Sequence, residues 1–174
     1  MTFIYYFPVW LYLPEHKSNW SASAQSTYRA DFSAHKAIDG DLSIQQDSLY
    51  HSRYLGRRAH DWLQIDFGES QTVVEVHAIL RRVVWHRVRD LQARVGDTAA
   101  TTAANSADVL ITDNPLCGEV RDTVTEHAHV FRCQEPLTGR YLLLQLNWDF
   151  TGDDQNLEID EVDVVVLEEI ENSN

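Results

Sequence analysis

Residues 61–67 read Asp-Trp-Leu-Gln-Ile-Asp-Phe, and residues 73–80 read Val-Val-Glu-Val-His-Ala-Ile-Leu after a Gly-Glu-Ser break. In the first run, Leu63 and Ile65 alternate with more polar neighbours, which is the two-residue period of a strand with one apolar face. The second run is rich in branched apolar residues and also fits a strand. The break at residues 68–70 contains a glycine and is typical of a turn. These residues therefore predict two consecutive β-strands joined by a turn.

Further strand-like runs lie on both sides of this pair. They occupy residues 20–27, 91–96, 141–147 and 157–166, and Gly139-Arg140 is expected to turn the chain into the third of them. Small alternating residues make the first run a half-buried strand or an extended arm. Short strands with turn signals every 8 to 12 residues or so, without a long helical period, predict an all-β antiparallel β-sandwich.

Two details of strand pairing are also predicted. Cys117-Gly118 and residues 130–133 are expected to bracket a hairpin. In the last strand, residues 157, 159 and 161 are expected to face one side of the sheet and residues 158, 160 and 162 the other, because side chains alternate along a strand.

The chain is long enough for one domain with a sizeable core, since it has 174 residues of which 44% are hydrophobic. Its formal net charge of −13 argues against nucleic acid or an anionic membrane as the main partner, because both require basic surfaces. This charge suits divalent cations and neutral ligands better. No apolar run is long enough for a transmembrane segment, so none is expected.

The two ends of the chain differ from the rest. Residues 3–13 form an aromatic, apolar segment with the length of a signal-peptide core, but they lack a basic start and contain Pro8. Residues 1–18 are therefore expected to be an N-terminal appendage. It is either a retained strand that offers an association surface or the relic of a signal sequence. Residues 168–174 predict an acidic, solvated tail.

Residues 34–41 read Ala-His-Lys-Ala-Ile-Asp-Gly-Asp and combine oxygen donors with a sharp turn, for which Gly40 provides the positive φ. Carboxylates, carbonyls and hydroxyls are the ligands that Ca²⁺ prefers. The pattern indicates a loop that an ion holds in place beside a polar binding surface. The alternative is that Asp39 and Asp41 are ordinary turn acids and that Glu161 is a solvated or paired strand acid.

Cys117 and Cys133 are the two cysteines of the chain. From their spacing alone, they form either one disulfide, which would indicate an oxidising compartment, or two buried reduced thiols. Without a further thiol or a histidine pair nearby, they make a poor zinc site.

A series of short motifs follows in a fixed order at residues 37–41, 62–68, 94–96, 114–118, 131–133, 139–141 and 160–162. In this order and spacing they resemble the discoidin-like superfamily of β-sandwich binding domains, and most closely the F-type (fucose-binding) lectins. The resemblance covers roughly residues 19–166. It implies a jelly roll of about eight strands for a domain of residues 19–167.

The resemblance also implies a bound Ca²⁺ as the cofactor. Glu161 would then tie the turn around Gly40 to the last strand. The implied ligands are the carbonyls of Lys36 and Asp160, oxygens of Asp39, Asp41 and Ser48, and the carboxylate of Glu161.

A disulfide between Cys117 and Cys133 is implied as well, and with it a secreted, extracellular protein. Two further bridges typical of the family are absent as pairs. Leu49 and Asp160 stand at the positions of one, and Val83-Val84 replace the other. Loss in pairs is expected of a secreted fold, because an unpaired thiol invites mispairing.

The fucose site implied by the resemblance is degenerate in this chain. His51 and Arg87 occupy its first and last positions, and Arg81 and Arg82 are candidates for the middle arginine, but no Asp follows either of them two residues later. Guanidinium groups and an imidazole donate directional hydrogen bonds to sugar oxygens. The remaining candidate residues are Tyr50 and Trp85, either of which would cover the C–H face of the sugar.

These observations leave two functions in competition. The first is a calcium-stabilised, non-catalytic module that binds fucosylated or other glycans. The second is a discoidin-like adhesion or assembly domain with a decayed sugar site, which binds proteins, acidic glycans or its own copies through the arginines or residues 3–13. An enzyme is not expected, because no nucleophile elbow, phosphate loop, zinc pattern or paired-carboxylate cleft is found.

Overall fold

The computed structural model describes residues 9–12, 17–43, 48–53, 60–102, 110–147 and 156–169. This part of the chain is mostly antiparallel β-sheet, which confirms the predicted fold class. Its strands are β1 (Val9–Tyr12), β2 (Ser21–Ala24), β3 (Tyr50–His51), β4 (Trp62–Leu80), β5 (Leu91–Gly96), β6 (Leu116–Glu119), β7 (Ala128–Leu146) and β8 (Glu158–Glu169). Short 3-10 helices lie at Ala30–Phe32, Ala34–Ile38 and Trp85–Arg87. In the described residues, no helix has the length and apolarity needed to cross a membrane.

Strands β4 and β7 form one long antiparallel ribbon that serves both layers of the sandwich. The half of β4 that begins at Trp62 pairs with β2 and with the end of β7. The end of β7 also pairs with β5, and β5 pairs with β6. The other half of β4 pairs with the start of β7 and with β8. Strands β1 and β3 both pair with β8 and complete the second layer.

This ribbon must bend in its middle. Each of its strands has 19 residues and would span about 60 Å if straight. Leu80 lies at one end of the ribbon, and Leu91 pairs with Leu146 at the other end. Residues 81–90 connect Leu80 to Leu91, although such a segment reaches at most about 40 Å. The bend brings the two ends of the ribbon to one rim of the sandwich.

The turns predicted at residues 68–70 and 139–140 do not end the strands, so that prediction was wrong. Both segments remain inside β4 and β7, where the register shifts between Asp66 and Gln71. Gly68 has φ of +81°, and Gly139 packs directly on the backbone of Gly96. Glycine at these positions lets the ribbon bend at this irregularity, and pairing continues on both sides of it.

The core lies between the layers and draws on both halves of the ribbon. Ile65 and Phe67 from the first half of β4 belong to the same buried cluster as Val76 and Ala78 from the second half. Strands β7 and β8 contribute Leu142, Leu144, Val162 and Val164 to it. Because one apolar cluster spans both halves, the layers are held face to face by the burial of apolar surface.

A bulge at Asp160 reverses the predicted alternation of β8. Leu80 lies opposite Ile159 while Ile79 lies opposite Glu161, so Asp160 is one extra residue. Ile159 faces the core before the bulge and Val162 faces it after the bulge. Glu161 therefore lies on the other face, together with Glu158. The prediction that Glu161 faces the same side as Leu157 was wrong, because it assumed a regular strand.

The disulfide between Cys117 and Cys133 is present and confirms the predicted bridge. It joins β6 to β7. The hairpin predicted between these segments was wrong, because β6 takes its backbone hydrogen bonds from β5. The bridge fixes β6 beside β7 where no ladder connects them.

The ends of the described chain meet on β8. Strand β1 pairs with Val166–Glu169, so the first two residues of the predicted acidic tail, Glu168 and Glu169, belong to a strand. Residues 1–8, 13–16 and 170–174 lie outside the described residues.

Candidate functional site

Three chain segments meet around Glu158 at the rim where the ribbon ends. His51 in β3 lies directly opposite Glu158 in β8. On the other side of β8, the backbone N–H of Arg81 donates to the carbonyl oxygen of Glu158 at 3.1 Å. Residues at the same level of neighbouring strands present their side chains to one face, so His51, Glu158 and Arg81 form one row.

The carboxylate of Glu158 bridges the two basic side chains of this row. Its Oε2 accepts a hydrogen bond from Nη1 of Arg81 at 2.8 Å, and its Oε1 lies 3.5 Å from Nε2 of His51. The side chain of Glu158 is only 4% exposed, against 13% for His51 and 24% for Arg81. A buried carboxylate therefore orients two partly exposed donors toward solvent.

The other ring nitrogen of His51 is fixed by the backbone. Nδ1 lies 2.6 Å from the carbonyl oxygen of Ser52, and because a carbonyl only accepts, Nδ1 carries a proton. Nε2 then donates to Glu158 only when the ring is protonated twice, and otherwise offers a lone pair. His51 can thus present either a donor or an acceptor to a ligand.

Aromatic side chains flank His51. The ring of Tyr28, 56% exposed, lies 5.0 Å from the His51 ring, and the buried ring of Phe32 lies at 5.5 Å. The backbone N–H of Tyr28 donates to the carbonyl oxygen of His51 at 2.9 Å. Tyr28 is therefore held beside the row and offers an exposed apolar face.

Tyr50 does not provide such a face, so its predicted role was wrong. Its side chain is fully buried in the core, and its hydroxyl donates to the carbonyl oxygen of Ser26 at 3.0 Å. Tyr50 and His51 are neighbours in a strand and point to opposite sides. Trp85 is half-buried and packs against the core from the 3-10 helix Trp85–Arg87.

Of the three predicted arginines, Arg81 is the one that the described contacts connect to His51, through Glu158. Arg82 and Arg87 are exposed on the connecting segment 81–90. The nearby Arg89 lies 3.9 Å from Asp122. Arg81 and Arg89 therefore have acidic partners among the described residues.

The predicted calcium ligands are brought only partly together. Glu161 reaches the turn, because its Oε2 accepts from the N–H of Gly40 at 2.8 Å. Asp39 and Asp41 accept from N–H groups two residues ahead, those of Asp41 and Ser43. Among the described residues, no three His, Cys, Asp or Glu side chains form a group that could hold a metal.

The remaining predicted ligands also have protein partners. The hydroxyl of Ser48 donates to the carbonyl oxygen of Ser43 at 2.6 Å, and Nζ of Lys36 lies 3.5 Å from the Asp39 carboxylate. Burial raises the pKa of Asp160, an effect that Arg81 and His127 partly oppose. The donors needed for a calcium cage are thus engaged in turns and ion pairs, and the calcium site stays a prediction from the resemblance.

Beneath the row lies a buried acidic group, Asp61. The hydroxyl of Ser26 donates to its Oδ1 at 3.1 Å. Burial raises the pKa of Asp61 to about 6, although hydrogen bonds from Ser52 and Ser26 act in the opposite direction. Because the folded state holds this proton more tightly than the unfolded chain, stability from Asp61 is fully present below pH 4 or so and is lost as the pH rises through about 6.

Replacing Asp61 by Asn should therefore stabilise the protein at neutral pH and have little effect on its stability near pH 4. The expected gain at neutral pH is about 1–3 kcal/mol, since one pKa unit corresponds to about 1.4 kcal/mol. Urea unfolding of wild type and Asp61→Asn, at about pH 4 and at about pH 7, measures the difference in their free energies of unfolding.

Asp66→Asn is the matched control for this prediction. The pKa of Asp66 is lowered, chiefly by its hydrogen bonds with Arg140, so its contribution is lost on acidification instead. A difference between wild type and Asp61→Asn that grows as the pH falls would contradict the assignment.

A polar cleft of about 230 Å³ is formed by residues other than His51, Arg81 and Glu158. It contains none of the predicted site residues. Its lining residues are Asp90, Glu119, Val120, Arg121 and Asn147.

Sequence reasoning missed Glu158 and Tyr28. Glu158 carries a usable signal, because an acid between Leu157 and Ile159 in an apolar strand requires a partner when buried. Tyr28 carries none, since a single aromatic residue in a loop has many explanations.

Comparison with known proteins agrees with this fold. Residues 36–144 match the F5/F8 type C family described as the NedA-like, galactose-binding domain. A fucolectin from Anguilla anguilla is 26% identical over 133 residues, which are 75% of this chain and 77% of that protein.

Two solved structures illustrate the structural similarity. A fucolectin from serum of the striped bass, Morone saxatilis, has a TM-score of 0.66 at 21% identity over 88% of this chain, and this chain spans 48% of its length. The family 32 carbohydrate-binding module of NanJ from C. perfringens, solved with galactose, has a TM-score of 0.62 at 16% identity, over 86% of this chain and 95% of its own. This chain belongs to the NedA-like, galactose-binding domain family, within the discoidin-like superfamily that includes the F-type lectins.

Proposed function

We propose that this protein is a non-catalytic lectin that binds fucose or a related neutral sugar at the row formed by His51, Glu158 and Arg81. The observation that carries the proposal is the buried Glu158 carboxylate between two partly exposed donors. Membership of a galactose-binding domain family supports a sugar as the ligand, and the fucolectin relatives support fucose.

The row supplies what a sugar site needs. The guanidinium group of Arg81 donates to hydroxyl and ring oxygens, Nε2 of the neutral His51 ring accepts from a sugar hydroxyl, and Glu158 limits the rotamers of both side chains. The exposed face of Tyr28 packs on the C–H face of the ring. Glu158 thereby takes over the role of the acid that is missing after Arg81 and Arg82.

The charge of the row favours a neutral ligand. Glu158 balances the guanidinium of Arg81, so the row itself carries little unpaired positive charge. A sulfated or carboxylated glycan would gain less here than at an open arginine cluster.

We further propose that the protein works outside the cell. The disulfide between Cys117 and Cys133 supports this, because such bonds persist in oxidising compartments. Glycans displayed on cell surfaces or on secreted proteins are then the expected partners.

Calorimetric titration with L-fucose and D-galactose tests the proposal. Wild type is expected to bind one of them saturably, and Arg81→Met to bind at least about 10-fold more weakly, because a charge-assisted hydrogen bond contributes about 1.5–3 kcal/mol. Tyr28→Ala should weaken binding without changing the melting temperature, since its ring is exposed.

Arg132→Met is the matched control. Arg132 also pairs with a glutamate, Glu75, which a histidine, His77, contacts as well. That trio lies on the outer surface of β4 and β7. Equal loss of binding in the two arginine variants, or no binding of either sugar by wild type, would contradict the proposed site.

A further inference from the structure

Lys17 is one of two lysines in a chain of net charge −13, and its ammonium is buried against β8. Nζ contacts Oε1 of Glu161, lies 2.6 Å from Oδ1 of Asp163, and donates to the carbonyl oxygen of Val162 at 2.7 Å. The exposed fractions of the Lys17 and Glu161 side chains are 16% and 3%. This ion pair is therefore largely shielded from water.

An ammonium group has three hydrogens to donate, and the three contacts of Lys17 use all of them. The acceptors are two carboxylates and one backbone carbonyl. This is the mixture of hard oxygen atoms that also suits a metal cation. The indole of Trp20 lies 5.5 Å from Nζ and covers it on another side.

The same glutamate connects this cation to the rim. While Oε1 of Glu161 contacts Lys17, its Oε2 accepts from the N–H of Gly40 at 2.8 Å. Gly40 has φ of +75°, and the turn that it forms is hydrogen-bonded to β8 through this carboxylate. The chain of contacts runs from Lys17 through Glu161 to the turn.

Removal of Lys17 would leave Glu161 buried without its counter-charge. Breaking a buried ion pair from one side is strongly destabilising, because the remaining charge cannot be hydrated.

We propose that the Lys17 ammonium takes the structural place of a divalent cation, so that the turn around Gly40 is fixed without calcium. In this chain the cation is a side chain of the polypeptide itself, because Lys17 belongs to the segment that follows β1. Asp39 and Asp41 are then left to stabilise their own turns. The inference concerns the stability of the rim and does not depend on which glycan binds.

The test compares melting temperatures in excess Ca²⁺ and in EDTA for wild type, Lys17→Met and Lys36→Met. Wild type should melt at the same temperature in both solutions. Lys17→Met should melt roughly 10 °C lower. Lys36→Met is the matched control: its side chain is half-exposed at the same rim, and a calcium ligand at this position would be its carbonyl, which the substitution keeps.

Amine labelling gives a readout that needs no variant to fold. The two lysines can be followed separately by mass spectrometry after treatment of wild type with an acylating reagent. Lys17 should react at least about 10-fold more slowly than Lys36, since its nitrogen is shielded and fully hydrogen-bonded.

Three results would overturn the proposal. One is a wild-type melting temperature that rises by several degrees in Ca²⁺, which would instead support the calcium site expected from the resemblance. The others are equal melting temperatures for Lys17→Met and Lys36→Met, and equal labelling of both lysines.

Discussion

Glu158→Gln should lower the affinity for the sugar by about 100-fold while the protein stays folded. The amide keeps the shape of the side chain, but it lacks the charge that holds both Arg81 and His51. A charge-assisted hydrogen bond such as that of Arg81 contributes up to about 3 kcal/mol, which corresponds to this factor. Calorimetric titration with the sugar that wild type binds measures it.

Glu75→Gln controls for the substitution itself. Glu75 also lies between an arginine and a histidine, with Arg132 at 3.1 Å and His77 at 3.0 Å, but it is far from the rim and its side chain is 29% exposed. Its variant should bind sugar like wild type. Unchanged affinity in Glu158→Gln would mean that the row does not hold the ligand.

Gly139→Ala should produce the largest loss of stability, about 3–5 kcal/mol. A Cβ on Gly139 would lie within 2.6 Å of three backbone atoms of Gly96. Backbone atoms inside paired strands cannot move aside as a side chain can, so the bend of the ribbon would have to open. Chemical unfolding monitored by tryptophan fluorescence measures the change.

Gly118→Ala provides the graded comparison. There a Cβ would approach the side chain of Phe131 to 3.0 Å, and a ring can adjust more easily than a strand. We expect this variant to lose much less stability than Gly139→Ala. Similar losses of stability in both variants would show that the close approach of Gly139 and Gly96 is not required for the stability of the fold.

The strands were largely predictable because their apolar residues repeat with a period of two. Residues 91–96 were predicted as a strand and form β5 with those bounds. The prediction failed where glycines bend a ribbon instead of ending it, at Gly68 and Gly139. A glycine has the same appearance in sequence whether the strand ends there or continues beyond it. The pairing with the partner strand determines which of the two occurs.

The site was predictable in its basic residues and not in the acid that organises them. His51 and Arg81 followed from the resemblance, whereas Glu158 became visible only once the pairing of β3 with β8 was known. The wrong facing of Glu161 has a similar origin, since one bulge residue, Asp160, reverses the alternation. Tyr50 was misplaced because neither its strand nor its core-facing side could be read from one aromatic residue.

Two buried carboxylates on one face of β8 connect these observations. Glu161, which Lys17 holds in place, is hydrogen-bonded to the turn around Gly40. Glu158, three residues before it, contacts His51 and Arg81. The bulge at Asp160 places both on the same face, and burial under the rim gives each a defined set of partners. The binding surface that we propose is thus organised by carboxylates on a strand.

The most direct test of the account is an NMR titration of the isotope-labelled protein with L-fucose, with the backbone and histidine ring signals assigned. If the row binds the sugar, we expect saturable shifts at Tyr28, His51, Arg81 and Glu158, with the His51 ring among the largest. Shifts centred instead on the cleft of Asp90, Glu119 and Arg121, with the His51 ring unchanged, would contradict the proposal.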